Sequence, residues 1–109
     1  METITTNLKR ASIEIILLTL LTEEDMYGYQ LAQEIKKRTN NKLAILEGSM
    51  YTILNRLKER GEVTFHSQVV GTKMTRVYYH ITESGREHLE EMRASFNECV
   101  DIIKGIINK

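Results

Sequence analysis

At Gly61 the hydrophobic period of the chain changes from 3.6 to two, and that switch constrains the fold more than any other feature. Upstream, in GSMYTILNRLKERG (residues 48–61), Met50, Ile53, Leu54 and Leu57 recur at i, i+3, i+4 and i+7. Ser49 stands where an N-cap would and Gly61 where a helix-ending glycine would, so the spacing predicts a helix over 49–60 with one buried stripe. Downstream, Val63 and Phe65 alternate with Thr64 and His66, and Val77, Tyr79 and Ile81 alternate with Tyr78 and His80. That period predicts two antiparallel strands with Val63, Phe65, Val77, Tyr79 and Ile81 inward. A tip over Val69–Thr75, carrying Gly71 and Lys73 and no proline, joins them.

Helices flank this unit. Residues 1–9 set no period and predict a loose arm or a single frayed turn. From Arg10 to Leu21 apolar side chains fall at 13, 16, 17, 20 and 21, with Ile15 and Leu18 on the other side, so this helix is apolar nearly all round and should be covered on two sides. After an acidic break at 22–25, Asp25 is placed to cap a second helix, Met26 to Thr39, with Leu31 and Ile35 inward and Asn40 and Asn41 ending it. The last element begins at Thr82 or Ser84, where Ser84 and Glu87 have capping-box spacing. It runs toward Asn108 through Leu89, Met92, Phe96, Cys99 or Val100, Ile103 and Ile106 or Ile107. At ~1.5 Å per residue it is roughly 40 Å long, more than the body of a small domain can cover. Its far half calls for another chain.

Three helices, a hairpin and a helix, in a chain of 109 residues, are the layout of a winged helix-turn-helix. The expected fold is mainly α with a small β-hairpin wing: a winged helix-turn-helix over 1–82 and a long C-terminal dimerisation helix over 83–109, compact together. The expected dimer contacts are Ile13, Leu17, Leu89, Met92, Phe96, Val100, Ile103 and Ile107.

The stripe of the third helix leaves Tyr51, Thr52, Asn55, Arg56 and Glu59 on its outer face. Asparagine suits bidentate contact with adenine, the hydroxyls suit phosphate or base edges, and arginine suits guanine or phosphate. A merely solvated helix face also looks polar, so charge distribution has to decide. The formal net charge of the whole chain is zero. Yet residues 36–60 hold seven basic groups, Lys36, Lys37, Arg38, Lys42, Arg56, Lys58 and Arg60, against Glu47 and Glu59, a local excess of five. Residues 1–35 carry six acidic groups against two basic ones. With Lys73 and Arg76 on the wing, the basic surplus lies where a duplex-binding face requires it.

The stretches YGYQL (27–31), GSMYTILNRLKERGEV (48–63) and RVYYHITESGREHL (76–89) resemble, in residues and spacing, the PadR family of bacterial winged-helix transcription regulators, and within it the small members with one C-terminal helix. The resemblance covers roughly residues 10–92. It implies a homodimer whose last helix packs across the partner, binding to double-stranded DNA through the third helix and wing, and usually repression relieved by a small ligand, for which a small hydrophobic effector is the candidate here. Position by position it puts Ser49, Tyr51, Thr52 and Asn55 on the DNA-facing part of the third helix, Lys73 and Arg76 on the wing, and Tyr27, Gly28 and Tyr29 at the start of the second helix. Family members commonly carry proline after the helix-three tyrosine; Thr52 stands there in this chain. Together with Lys37, Arg56 and Lys58 from the basic cluster, these residues form the expected DNA face.

Other constellations weigh less. His66, His80, His88 and Cys99 include no pair at metal-ligand spacing, so no metal or other cofactor is expected, and Cys99 on the inner stripe reads as a buried small hydrophobe. Tyr29, Met92 and Phe96 are candidates for lining an apolar ligand space, although such side chains at helical spacing are more often dimer core. No nucleophile elbow, phosphate loop or carboxylate pair indicates an enzyme. One cysteine and no secretory or membrane-length apolar run make the cytoplasm the expected compartment, without a membrane partner. The rival readings are a winged-helix protein-interaction module and a small-molecule carrier without DNA binding.

Overall fold

A computed structural model describes the backbone of residues 4–109 and the side chains of residue 8 and residues 12–109. In chain order the elements are α1 (Ile4–Glu23), β1 (Met26–Tyr27), α2 (Gly28–Arg38), α3 (Glu47–Glu59), β2 (Val63–Val70), β3 (Met74–Ile81) and α4 (Glu83–Ile107). The strands form an antiparallel sheet in the order β1-β3-β2. The winged-helix architecture is therefore as expected, with one strand more than the periodicity indicated.

Leu17 and Leu18 are adjacent on α1 and both fully buried, which requires cover on two sides; α3, β3 and α4 supply it. On α3, Met50, Leu54 and Leu57 are fully buried and Ile53 half-buried, each closed side chain contributing roughly 1.5–3 kcal/mol of apolar burial. The helix stops at Gly61, whose φ of 75° lets its N–H bond the Lys58 carbonyl (2.9 Å) and the Glu62 N–H bond the Leu57 carbonyl (2.9 Å). In the same way Asn40 and Asn41, at φ 53° and 64°, end α2, with Asn41 N–H donating to the Lys36 carbonyl at 2.8 Å.

Several boundaries differ from expectation. α1 extends back to Ile4, through residues for which the sequence predicts a loose arm or a single frayed turn, while residues 1–3 lie outside the described residues. Asp25 does not cap α2. Its carboxylate meets His80 Nδ1 at 2.7 Å, and Met26 and Tyr27 pair with Tyr79 and Tyr78, so α2 starts only at Gly28. Ser49 does not cap α3 either, because the helix begins two residues earlier behind Leu46, which makes no side-chain cap. For α4 the cap is Thr82, whose Oγ1 accepts from Gly85 N–H at 3.0 Å, rather than Ser84. The hairpin tip is shorter than read: only residues 71–73 separate the strands.

Phe65 and Val77 were expected inward with Val63, Tyr79 and Ile81. They do share that side of the sheet, by register, but the hairpin runs past the core and leaves them 47% and 38% exposed. Ile13, Leu17 and Leu89, expected at a dimer contact, are instead closed into the chain's own core and have almost no surface to offer a partner. Cys99, read as buried, is exposed.

Candidate nucleic-acid interface

Six of the ten expected DNA-facing residues lie on α3, and all six are exposed: Ser49, Tyr51, Thr52, Asn55, Arg56 and Lys58. The buried stripe dictates this, since a 3.6-residue period that turns Met50, Leu54 and Leu57 into the core turns these positions out. Thr52 spends its hydroxyl proton on the Gly48 carbonyl, 2.9 Å away, and so faces outward as an acceptor. Asn55 is exposed and sits one turn along the same face.

Tyr51 is held by the start of α2. Its ring lies against Gly28: a Cβ built on that glycine would come within 2.7 Å of Tyr51 Cζ and 2.9 Å of Cε1. Only a glycine leaves this ring its place. Tyr79 is close by, and burial first and the neighbouring Tyr51 second raise its phenol above the usual tyrosine range. The beginning of α2 and the beginning of α3 therefore meet through Gly28 and Tyr51.

The wing joins this surface through aromatic supports. Arg76 is half-buried, its guanidinium 4.4 Å above the Tyr27 ring, and Tyr27 in turn meets Tyr78 edge-on at 5.4 Å. His66 stacks on the other side of Tyr78 at 5.8 Å. These rings stand in one row because the register pairs Tyr27 and His66 with Tyr78 on opposite edges of β3. Lys73 is exposed at the tip. Lys37, by contrast, sits exposed in the last turn of α2, roughly 15 Å along the helix from Tyr27.

The basic surplus is smaller than its count. Arg38 donates to Glu23 (2.7 Å) and to Glu34 (3.1 Å), and its hydrogen bonds hold Glu23 below the usual carboxylate range. Arg60 pairs with Glu14 and with the buried Glu62 (3.2 Å). Two of the seven cations are thus spent within the chain, leaving Lys36, Lys37, Lys42, Arg56 and Lys58 outward.

His88 Nδ1 lies 2.7 Å from Glu62 Oε1, so each histidine is accounted for by a ring or a carboxylate. Among the described residues no group of three or more His, Cys, Asp and Glu side chains is arranged to hold a metal ion, and no helix is long and apolar enough to cross a membrane. An open cavity of about 440 Å³ is lined by Arg60, Glu62, Ser84, Glu87, His88 and Glu91. Tyr29, Met92 and Phe96 do not line it. Tyr29 is 56% exposed on α2, Phe96 is 40% exposed on α4, and Met92 packs on the core.

Residues 17–91 match the family model described as the transcriptional regulator PadR-like family. The chain belongs to that family. It is 35% identical over 94 residues to an uncharacterised protein of Lysinibacillus sphaericus, covering 86% of each. A solved transcriptional regulator from Clostridium thermocellum superposes with a TM-score of 0.87 at 26% identity, over 96% of this chain and 99% of that one. The negative transcriptional regulator PadR of Bacillus subtilis is 25% identical over 79 residues, 72% of this chain. Its structure in complex with operator DNA superposes at TM-score 0.67 over 73% of this chain. The chain spans less than half the length of that PadR, 43% by sequence and 46% by structure.

Proposed function

We propose that this PadR-like regulator binds a pseudo-palindromic operator as a homodimer and represses by occupying it, with α3 in the major groove and the wing tip on an adjacent backbone or minor groove. The observation that carries the reading is the continuity of exposed Ser49, Tyr51, Thr52, Asn55 and Arg56 on α3 with Gly28 at the start of α2 and the ring-supported Arg76 of the wing. The operator complex of the Bacillus subtilis relative supports it, as does that relative's description as a negative regulator. The dimer reading is supported by the far half of α4, where Ile102, Ile103, Ile106 and Ile107 are between 48% and 69% exposed. An effector that relieves repression must bind the DNA-competent and incompetent arrangements of the two chains with different affinity, since nothing else shifts that equilibrium.

Titration of a fluorescent duplex from upstream of the chain's own gene tests the reading. Asn55→Ala is expected to weaken binding to that duplex by about 1–3 kcal/mol and to relax preference at one base position. Lys73→Ala should weaken cognate and random duplexes alike and lower the log–log salt slope by about one per subunit, because a phosphate contact carries no sequence information. Parent-like binding by Asn55→Ala at an unchanged thermal midpoint would make the polar face of α3 solvated surface only.

Gly28→Ala probes the joint between α2 and α3. The new methyl group collides with the ring of Tyr51, which is 40% exposed, so solvent and not the core lies on the side to which the ring must give way. The expected result is a loss of duplex affinity of about fivefold with a stability change under about 1 kcal/mol, since the strain is relieved outward. In a Tyr51→Ala background the same substitution should be silent. A large drop in midpoint with full retention of affinity would show that Tyr51 has no part in binding.

A further inference from the structure

Glu62 is the one buried polar or charged residue among those described, at 6% exposure, and its polar groups tie the end of α3 to the start of α4. Its N–H donates to the Leu57 carbonyl of α3 at 2.9 Å, and its carbonyl accepts from the N–H of Thr82, the cap of α4, at 3.0 Å. Its carboxylate takes Arg60 Nε on one oxygen at 3.2 Å and His88 Nδ1 of α4 on the other at 2.7 Å. Arg60 then reaches Glu14 on α1. Stability alone does not call for a carboxylate in such a place, since well-packed apolar side chains often serve it as well. A charge-assisted hydrogen bond supplies direction, which apolar contact does not.

Direction is what the rest of the α4 base lacks. Its buried residues there are Gly85 and Leu89, and half-buried Met92 continues them at i, i+4 and i+7. These make one narrow line along the helix, and a line of apolar contact leaves a helix able to roll about it. His88 stands at the flank of that line, about 100° round the axis from Leu89, so its bond to Glu62 opposes the roll. The roll has leverage, because α4 carries at its far end the exposed isoleucines on which the proposed partner sits. Turning α4 therefore swings the second chain and its α3. At the 30 Å breadth of one chain, a roll of about 10° becomes a shift of about 5 Å, more than the ~3.4 Å rise of one base pair.

We infer that Glu62, held by His88 and Arg60, sets the roll of α4 against α3 and thereby the half-site spacing that the dimer accepts. Glu62 and His88 are positioning residues for specificity and touch no DNA themselves. The inference rests on the dimeric operator reading above, in which the two α3 helices meet symmetric half-sites at a spacing fixed by the distance between them. The open cavity of about 440 Å³ that both residues line gives the pair room to part, so that its loss frees the roll and leaves the core closed.

The test uses the full chain, with anisotropy titrations of the upstream operator, of the same operator with one base pair inserted or removed between its half-sites, and of a single half-site. The parent is expected to lose about thirtyfold in affinity on either change, because one base pair displaces a half-site by ~3.4 Å and turns it by about 35°. His88→Ala, which leaves Glu62 its bond to Arg60, should lose less than about fivefold on the same changes and should bind both altered operators about threefold or more tighter than the parent does. A damaged fold cannot produce such a gain. Its affinity for the single half-site and its sedimentation should match the parent's. His88→Asn, whose amide can donate from the place of Nδ1, should restore most of the discrimination. Glu62→Gln should flatten the spacing profile as His88→Ala does, and combining the two should add little. His80→Ala is the control: it breaks a histidine–carboxylate pair with Asp25, 2.7 Å apart, that does not involve α4, and it should leave the profile unchanged.

A parent-like spacing profile for His88→Ala overturns the positioning role. An equal loss on every duplex assigns the pair to stability, and a shift in sedimentation assigns it to chain–chain contact; either overturns it too. Should Glu62→Gln lower the thermal midpoint sharply, the comparison of His88→Ala with His88→Asn still decides. Failure of the two readings is distinguishable: if the parent binds the operator and ignores its spacing, only the positioning role is lost. If the parent binds none of the duplexes, both are.

Discussion

Gly85→Ala is expected to lower the thermal midpoint by roughly 10–20 °C, the loss of about 2–3 kcal/mol from a domain of this size. Gly85 occupies the third position of α4 and has no positive φ, so backbone strain is not the cause. Helix propensity alone would make alanine better by about 1 kcal/mol. Space decides otherwise. A Cβ at Gly85 falls onto the Glu62 carbonyl oxygen and lies 2.8 Å from Ile81 Cγ1 and 3.1 Å from the Glu62 carbonyl carbon. That carbonyl cannot retreat cheaply, because it accepts the Thr82 N–H at 3.0 Å while the Thr82 hydroxyl donates to the Gly61 carbonyl at 2.7 Å. The same hydroxyl oxygen caps α4 through Gly85 N–H, so pushing the strands apart also loosens a cap worth about 1 kcal/mol. Overpacking against backbone belongs at the upper end of its usual 1–3 kcal/mol, which outweighs the propensity gain. Gly48→Ala is the control: nothing lies within 4 Å of its added Cβ, and its midpoint should hold or rise. Thermal unfolding at one fixed chain concentration compares the two, and a Gly85→Ala midpoint at or above the parent's would discard the joint.

That joint could not be read from the chain, whereas the elements it connects could. The stripe of α3 was legible because a fully buried helix face must repeat at 3.6 residues, and Gly61 because a helix that stops with a Schellman turn needs a left-handed residue. The two-residue strand β1 has no period to show. It exists because β3 has a free edge where the chain enters α2, and pairing Met26 and Tyr27 there displaces the helix start that Asp25 would have capped. Strand alternation correctly separated the two faces of the hairpin and misjudged burial, since a side chain's direction is local but the reach of the core is not.

The candidate interface divides along the same line. The polar face of α3 follows from its buried face, so Ser49, Tyr51, Thr52, Asn55, Arg56 and Lys58 all came out exposed. The basic surplus was overcounted because Arg38 meets Glu23 fifteen residues away and Arg60 meets Glu14 forty-six residues away, and charge pairing over such separations leaves no local pattern. Support of Arg76 by Tyr27 and of Lys58 by Phe65 was equally invisible, since each contact joins elements that only the fold brings together.

Ending the chain after Arg93 is expected to convert a dimer into a monomer and to lower operator affinity by about a hundredfold or more, because two linked half-sites become two separate ones. The argument starts from what the cut leaves behind. Gly85 and Leu89 are buried and Met92 packs on the core, and all three are retained. From 94 to 109 only Val100 is even half-buried, so the removed turns contribute almost nothing to the fold of a single chain. What they do contribute is exposed apolar surface: Phe96 at 40%, Ile103 at 48%, Ile102 at 58%, Ile106 at 67% and Ile107 at 69%. With Val100, these fall at 3- and 4-residue steps along one broad side of a helix that helps stretch the chain to 59 Å in its longest dimension, against 30 and 23 Å across. Contiguous apolar surface of this kind on a solvated helix is stable only when covered, and a second α4 offers the same stripe in return. The shortened chain should therefore keep the parent's secondary structure while sedimenting as a monomer. Its non-specific affinity per chain should fall far less than its operator affinity, since each monomer retains α3 and the wing. A shortened chain that still sediments as a dimer would move the interface to α1 or the proximal half of α4, and the exposed isoleucines would then need a different partner.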